Sequence, residues 1–172
     1  FLQGARQGAT AAQGEILLFI NNDTILLPNA LHAVKESFEN YPQLGVLGAR
    51  LIHPTGLLQE AGGRVFADGS NQGIGVGEHP LTVKHLLQRR VHYCSGAFLA
   101  TPRTLWERIG GFDLRFSPAY YEDVDYCFSA QELGYDVLVE PRIAVIHREG
   151  AISDNASEAQ QLMLKNREKF RQ

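Results

Sequence analysis

The chain has 172 residues, 44% of them apolar and 20% charged. These are ordinary values for one globular domain large enough to bury a core. The formal net charge of −3 excludes the broad basic surface of a nucleic-acid-binding protein. No apolar run approaches the roughly 20 residues of a membrane span, and the two cysteines, Cys94 and Cys127, read as buried thiols and not as a disulfide framework.

The chain opens FLQGARQGATAAQG, which predicts a short Ala-rich helix closed by Gly14. There is no initiator Met, so a piece of something longer is expected. Glu15 to Ile20 reads as a strand. Its apolar run is continuous and not alternating, which predicts cover on both faces, as in a parallel sheet. Pro28 is expected to open a helix with Leu31, Val34, Phe38 and Tyr41 on one face. LGVLGARLI is the next strand, HPTG a turn, and Leu57 to Gly63 a returning hairpin arm. Residues 62–80 are rich in Gly and polar side chains and predict a mobile loop.

Strand-like VHYCSGAFLATP follows, and then a helix over RTLWERI ended by Gly110 and Gly111. EDVDYCFSAQEL predicts an amphipathic helix stopped by Gly134. YDVLVE and IAVIH read as two strands, and SEAQQLMLKNREKFRQ as a polar terminal helix. Alternating strands and helices predict a three-layer α/β architecture.

Polar residues at strand ends are where chemistry is sought, because open α/β sheets bind ligands beyond the carboxyl ends of their strands. Asn21, Asn22 and Asp23 end the first apolar run. Asp23 suits a hard divalent cation that in turn holds phosphates, whereas turn chemistry ahead of the next helix explains the same residues without function. An aspartyl nucleophile is excluded at positions 21 and 22, since a carboxamide is no anionic nucleophile. In SPAYYEDVDYCF, Glu122 and Asp123 open a helix whose dipole favours an ionised carboxylate. One of them can serve as general base for a hydroxyl, or both are helix-start charge and nothing more. His147 ends IAVIH and suits a metal or a phosphate, or is structural. Gly73, Gly75 and Gly77 do not make a dinucleotide fingerprint.

The order of these motifs is more specific than any one of them. FINND, then CSGAFLATPRTLWERIGGFD, then YYEDVDYCFSAQELGYDV and VIHREGAIS resemble the bacterial family-2 glycosyltransferases of the GT-A fold, the rhamnosyltransferase-like members in particular, from Ala5 to about Ser153. The resemblance implies a three-layer GT-A fold with a mostly parallel central sheet, its N-terminal strands lying before Phe1. Residues 1–172 are then a single domain, the C-terminal portion of a catalytic domain, with a terminal helix over 154–172. It puts Asn21, Asn22 and Asp23 on the family's Asp-x-Asp position, with Asp23 and His147 at a Mg²⁺ or Mn²⁺ ion. Asp123 falls on the catalytic base and Glu122 beside the acceptor. Gly96, Ala97 and Tyr121 fall at the donor and substrate site.

The implied activity is inverting transfer from a nucleotide-diphospho-sugar to a saccharide or lipid-linked acceptor. It would act in bacterial cell-surface polysaccharide synthesis, in the cytoplasm at the inner face of the membrane. Asn22 departs from the family by standing where an optional first acidic residue would be. The first strand of the family would pair beside residues 15–20, so this strand is expected to form an apolar edge through which the chain self-associates or which rearranged N-terminal residues cover, and the chain alone is expected to be a poor catalyst. Two other readings compete. A sugar nucleotidyltransferase needs a Gly-rich basic triphosphate loop, which this sequence lacks. A non-catalytic glycosyltransferase-like binding module has no need to retain Asp23, Asp123 and His147 together. A retaining glycoside hydrolase is disfavoured, because adjacent carboxylates opening one helix do not straddle a sugar at about 5 Å.

Overall fold

The computed structural model describes residues 1–148 and 156–172. The end of the VIHREGAIS motif, residues 149–153, lies outside the described residues. Helix α1 (Leu2–Ala11) leads into β1 (Ile16–Ile20) and the short β2 (Thr24–Leu26), followed by α2 (Ala30–Asn40) and β3 (Leu44–Ile52). Short strands β4 (Leu58–Glu60), β5 (Gly63–Val65), β6 (Asn71–Gly73) and β7 (Arg89–Arg90) precede β8 (Phe98–Pro102). Helices α3 (Arg103–Ile109) and α4 (Glu122–Glu132), the long β9 (Asp136–His147) and α5 (Ala156–Phe170) complete the chain.

The main sheet runs β1-β8-β3-β9-β2, with β4 added to β3 and β7 to β9. Among the described residues only β3 and β9 pair in parallel; β1 with β8, β8 with β3, and β9 with β2 are antiparallel. The sheet is therefore mixed. The mostly parallel arrangement expected from the sequence holds for strand direction more than for pairing, since β1, β3 and β9 all point the same way and β8 runs back between the first two. The carboxyl ends of β1 and β9 consequently meet the amino end of β8 at one end of the sheet.

Both faces are covered, as the unbroken apolar run of β1 predicts. Leu17 and Phe19 join a core with Val46, Leu99, Trp106, Phe112 and Tyr126, under α3 and α4. Ile16 and Leu18 pack on the opposite core with Ala33, Val34, Leu47 and Val145, under α2. Three layers result. Within the first core Phe19 packs on Trp106 and Phe112 with ring centroids 4.7 and 5.1 Å apart, so β1 is tied to the helix that follows β8. Among the described residues β1 pairs with β8 alone and forms one edge of the sheet, the position expected for it.

Three local expectations need correction. Helix α2 starts at Ala30, behind Asn29 in a left-handed conformation, and not at Pro28. It buries Ala30, Ala33, Val34 and Ser37, while Leu31 is 59% exposed. Small side chains let this helix lie close on β3 and β9, and Leu31 falls about 110° from the centre of that face. Residues 62–80 are not an irregular loop, because Gly63–Val65 and Asn71–Gly73 form a hairpin. The predicted strands YDVLVE and IAVIH are one strand, β9. Its pairing with β3 shifts register between Gly48 and Arg50, which accommodates Pro141 in a bulge.

Two glycines give a test of this packing. A Cβ on Gly63 would lie 2.0 Å from the ring of Tyr93, a residue only 6% exposed, whereas one on Gly4, within α1, meets nothing within 4 Å. Gly63→Ala is expected to destabilise the chain by about 1–3 kcal/mol through overpacking. Gly4→Ala is expected to stabilise it by about 0.5–1 kcal/mol. Urea denaturation of the two variants beside the wild type checks both signs.

Candidate active site

The polar tip of β1 stays beside β9 because the chain turns immediately into β2. Thr24 pairs with His147 across the β2–β9 ladder, and the Arg148 N–H donates to the Asp23 carbonyl (3.1 Å). The Asp23 carboxylate is thereby set against the imidazole, with Oδ1 3.3 Å from His147 Nε2. Both side chains are nearly buried, at 11% and 8% exposure. The far side of the ring is fixed by Gln59 of β4, whose Oε1 lies 2.8 Å from His147 Nδ1. A carbonyl oxygen only accepts, so Nδ1 donates to it, and Nε2 is left facing Asp23 and Asn21. The Asn21 carboxamide nitrogen is 3.3 Å from Nε2. Asp23 Oδ1 is buried and has no hydrogen-bond partner.

A buried carboxylate oxygen without a hydrogen bond, set beside an imidazole nitrogen, is a poor arrangement for the protein alone. It is a fitting one for a divalent cation, and the residues pass that chemical test. Among the described residues no third His, Cys, Asp or Glu joins this pair. The remaining ligands of such an ion would be phosphate oxygens and water, the usual habit of Mg²⁺ at substrate phosphates. Asn22 is exposed at the tip.

The second group of residues is joined to the first by one short piece of backbone. The Asn21 N–H donates to the Ala97 carbonyl (3.2 Å), and the Gly96 N–H donates to Asp123 Oδ2 (2.9 Å). The Val124 N–H donates to Asp123 Oδ1 (2.8 Å), so both carboxylate oxygens are held by backbone at the start of α4. The helix itself is anchored by the Tyr126 hydroxyl, 2.8 Å from buried Thr101 Oγ1 on β8, which in turn donates to the Gly45 carbonyl. Gly96 is buried. A Cβ there would come within 3.3 Å of the Phe1 ring and 3.7 Å of Asp123 Oδ2. Ala97 contributes through its backbone, since its methyl group lies in the core under α2.

Glu122 and Asp123 differ sharply in surroundings. Glu122 is 4% exposed, and its Oε2 is buried without a partner. Burial, followed by the neighbouring Asp123 carboxylate, pushes its carboxyl up to about 8. Asp123 is half-buried, and burial raises its carboxyl as well, against the opposing pull of the Gly96, Val124 and its own backbone N–H groups. The helix dipole alone favours ionisation. Desolvation outweighs it at both residues, which corrects the sign expected from the sequence. Tyr121 donates its hydroxyl to the Gly69 carbonyl (2.9 Å) and packs its ring on Phe170, so its side chain engages the hairpin loop and α5.

The sequence reasoning missed Gln59. Nothing in its spacing from His147 points to it, because the contact depends on β4 folding back along β3.

The fold and this arrangement can be set beside known proteins. The chain superposes on GalNAc-T7, solved with UDP, GalNAc and Mn²⁺, with a TM-score of 0.74 at 15% identity, over 99% of this chain and 34% of that one. It superposes on the Pyrobaculum calidifontis mannosyltransferase PcManGT, solved with GDP-Man and Mn²⁺, with a TM-score of 0.56 at 18% identity, over 94% and 39%. At these identities the likeness shows the GT-A fold. In sequence it is 30% identical over 149 residues to the O-antigen biosynthesis protein RfbC of Myxococcus xanthus, covering 83% of this chain and 12% of that protein. It is 28% identical over 159 residues to the uncharacterized protein y4gI of Sinorhizobium fredii (strain NBRC 101917 / NGR234), covering 88% and 17%. The chain thus spans less than a fifth of the length of these curated relatives. The model of the family described as Glycosyltransferase like family 2 matches residues 2–172, and the chain belongs to that family.

Proposed function

We propose that this domain transfers a sugar, with inversion, from a nucleotide-diphospho-sugar to an acceptor hydroxyl, and that it depends on a divalent metal. The observation that carries the reading is the bridge Gly96–Ala97. One backbone segment hydrogen-bonds both the metal-suited tip at Asn21 and the carboxylate of Asp123. A donor diphosphate at Asp23 and His147 would put its sugar over this segment, within reach of Asp123.

In that arrangement Asp123 takes the proton from the acceptor hydroxyl while the hydroxyl oxygen bonds to the anomeric carbon. The bond from that carbon to the diphosphate oxygen breaks in the same step, and the nucleoside diphosphate departs with the electron pair. Asp123 is suited to the role. Its oxygens are fixed by two backbone donors, and its raised pKa brings it closer to the operating pH, where a general base works best. Glu122, held neutral, flanks the acceptor without adding a second negative charge. Asp23 and His147 would hold a divalent cation, which would supply positive charge to offset that of the departing diphosphate. The similarity to RfbC favours a saccharide or lipid-linked acceptor in cell-surface polysaccharide synthesis, and a cytoplasmic location at the membrane face goes with that role. Among the described residues no helix is long and apolar enough to cross a membrane.

Titration calorimetry of the full-length protein with UDP, GDP or dTDP tests the metal half of the reading. At least one nucleotide is expected to bind only with Mn²⁺ or Mg²⁺ present, and Asp23→Ala to weaken that binding more than about 10-fold while the thermal midpoint hardly moves. Equal affinity in wild type and variant would remove Asp23 from the site. The anomeric configuration of the product, read by NMR, tests inversion.

A further inference from the structure

Asn166 lies on α5, far in sequence from every residue of the site, and is fully buried. The two N–H groups of its carboxamide are shared among three carbonyls, those of Phe116 (3.0 Å), Ala119 (2.9 Å) and Tyr120 (2.9 Å). Its Oδ1 accepts from Lys169 Nζ (2.8 Å), and the same ammonium donates to the Arg115 carbonyl. All of these carbonyls belong to the segment that delivers the chain into α4.

That segment is unusual. Tyr120 and Tyr121 are consecutive residues with φ of +71° and +75°. This left-handed conformation is one that residues bearing a Cβ avoid, and it is seldom adopted twice running. The residues immediately after are Glu122 and Asp123. The double turn sets the angle at which α4 begins, and so whether the Asp123 carboxylate meets the Gly96 N–H. It also turns backbone carbonyls inward, where they need donors. Asn166 supplies those donors, and the Tyr121 hydroxyl bonded to Gly69 ties the turn from the other side.

We propose that Asn166 is a positioning residue whose carboxamide holds the Tyr120–Tyr121 turn and through it aims Asp123. The inference rests on the reading of Asp123 as the base. A carboxamide is suited to the task because it donates two N–H groups and accepts one bond without carrying charge. An aspartate in its place would set a carboxylate among three carbonyl oxygens.

The test is steady-state kinetics on the full-length enzyme. Asn166→Ala is expected to lower kcat by about 10- to 100-fold, the cost of misplacing a reacting group by an ångström or less, while the affinity for nucleotide with Mn²⁺ stays within twofold. Adding Tyr120→Gly, which adopts positive φ without steric cost and leaves the Tyr121 tie to Gly69 in place, is expected to restore part of kcat. In an Asp123→Asn background Asn166→Ala is expected to cost nothing further. A parallel fall in nucleotide affinity and kcat, or an unchanged kcat in a folded variant, overturns the proposal. If Asn166→Ala does not fold, Lys169→Met decides. It loosens the carboxamide without emptying the site, and a several-fold fall in kcat alone supports the role while an unchanged kcat overturns it. Full turnover by Asp123→Asn itself would instead overturn the base assignment, so the two failures are told apart.

Discussion

Asp123→Asn in the full-length enzyme is expected to lower turnover by about 10²–10⁴-fold, the usual worth of a general base, with the fold intact. The substitution keeps the volume and removes the charge. In the wild type Oδ2 accepts from Gly96 N–H and Oδ1 from Val124 N–H. An asparagine must turn its NH₂ toward one of these donors and forgo that bond, at a cost of about 1 kcal/mol. Against this, the variant no longer buries an ionisable carboxyl whose pKa burial has raised, so the two effects on stability oppose each other. The loss therefore belongs to the chemistry. Initial rates at saturating donor and acceptor, beside thermal melting, separate the two. Normal turnover in a folded variant shows that Asp123 is not the base.

The elements legible from sequence were those with local punctuation. Helix α3 was read over RTLWERI and ended by Gly110 and Gly111, both glycines at positive φ. The apolar run of β3 was read to the residue. Sheet direction was not legible. An unbroken apolar run such as Ile16–Ile20 says that both faces are covered, and the partner that decides parallel or antiparallel, β8, comes some 80 residues later. The hairpin over 63–73 was hidden by its glycines and polar residues. Its signal was Asp68-Gly69, with Gly69 at φ +77° where the loop turns back.

The same division holds at the site. Asp23, His147, Glu122 and Asp123 were visible because each stands where an apolar strand ends or a helix begins. Gln59 and Asn166 were not, since each is a carboxamide whose role exists only once the chain has folded it against a distant partner. The sign of the carboxyl shifts was misjudged for a related reason. The dipole of α4 can be read from helix position, but the extent of burial depends on everything packed around it.

Glu122 makes the fold sensitive to pH in the acid-to-neutral range. Its carboxyl is raised from an ordinary value near 4.5 to about 8, by burial first and by Asp123 second. The folded state therefore binds this proton more tightly than the unfolded chain does. The stability that comes with it is fully present below about pH 4.5, declines as pH rises, and is lost above about 8. The expected fall between pH 5 and 8 is on the order of a few kcal/mol. Asp123 and Asp125, both also raised, add to it with the same sign. The lowered carboxyls of Glu36, Asp68 and Glu78 act oppositely and only on the acid side, near and below their ordinary values. Comparing wild type with Glu122→Gln isolates the one residue. The amide cannot ionise, so the variant is expected to match the wild type near pH 5, exceed it at pH 8, and vary less between. Urea denaturation at pH 5, 6, 7 and 8 measures the difference, and parallel curves for the two proteins rule out a proton held by Glu122. Because glutamine copies the neutral form, the same variant is expected to keep most of its turnover at pH 7. In that respect it parts from Asp123→Asn, although the two residues are neighbours in the chain.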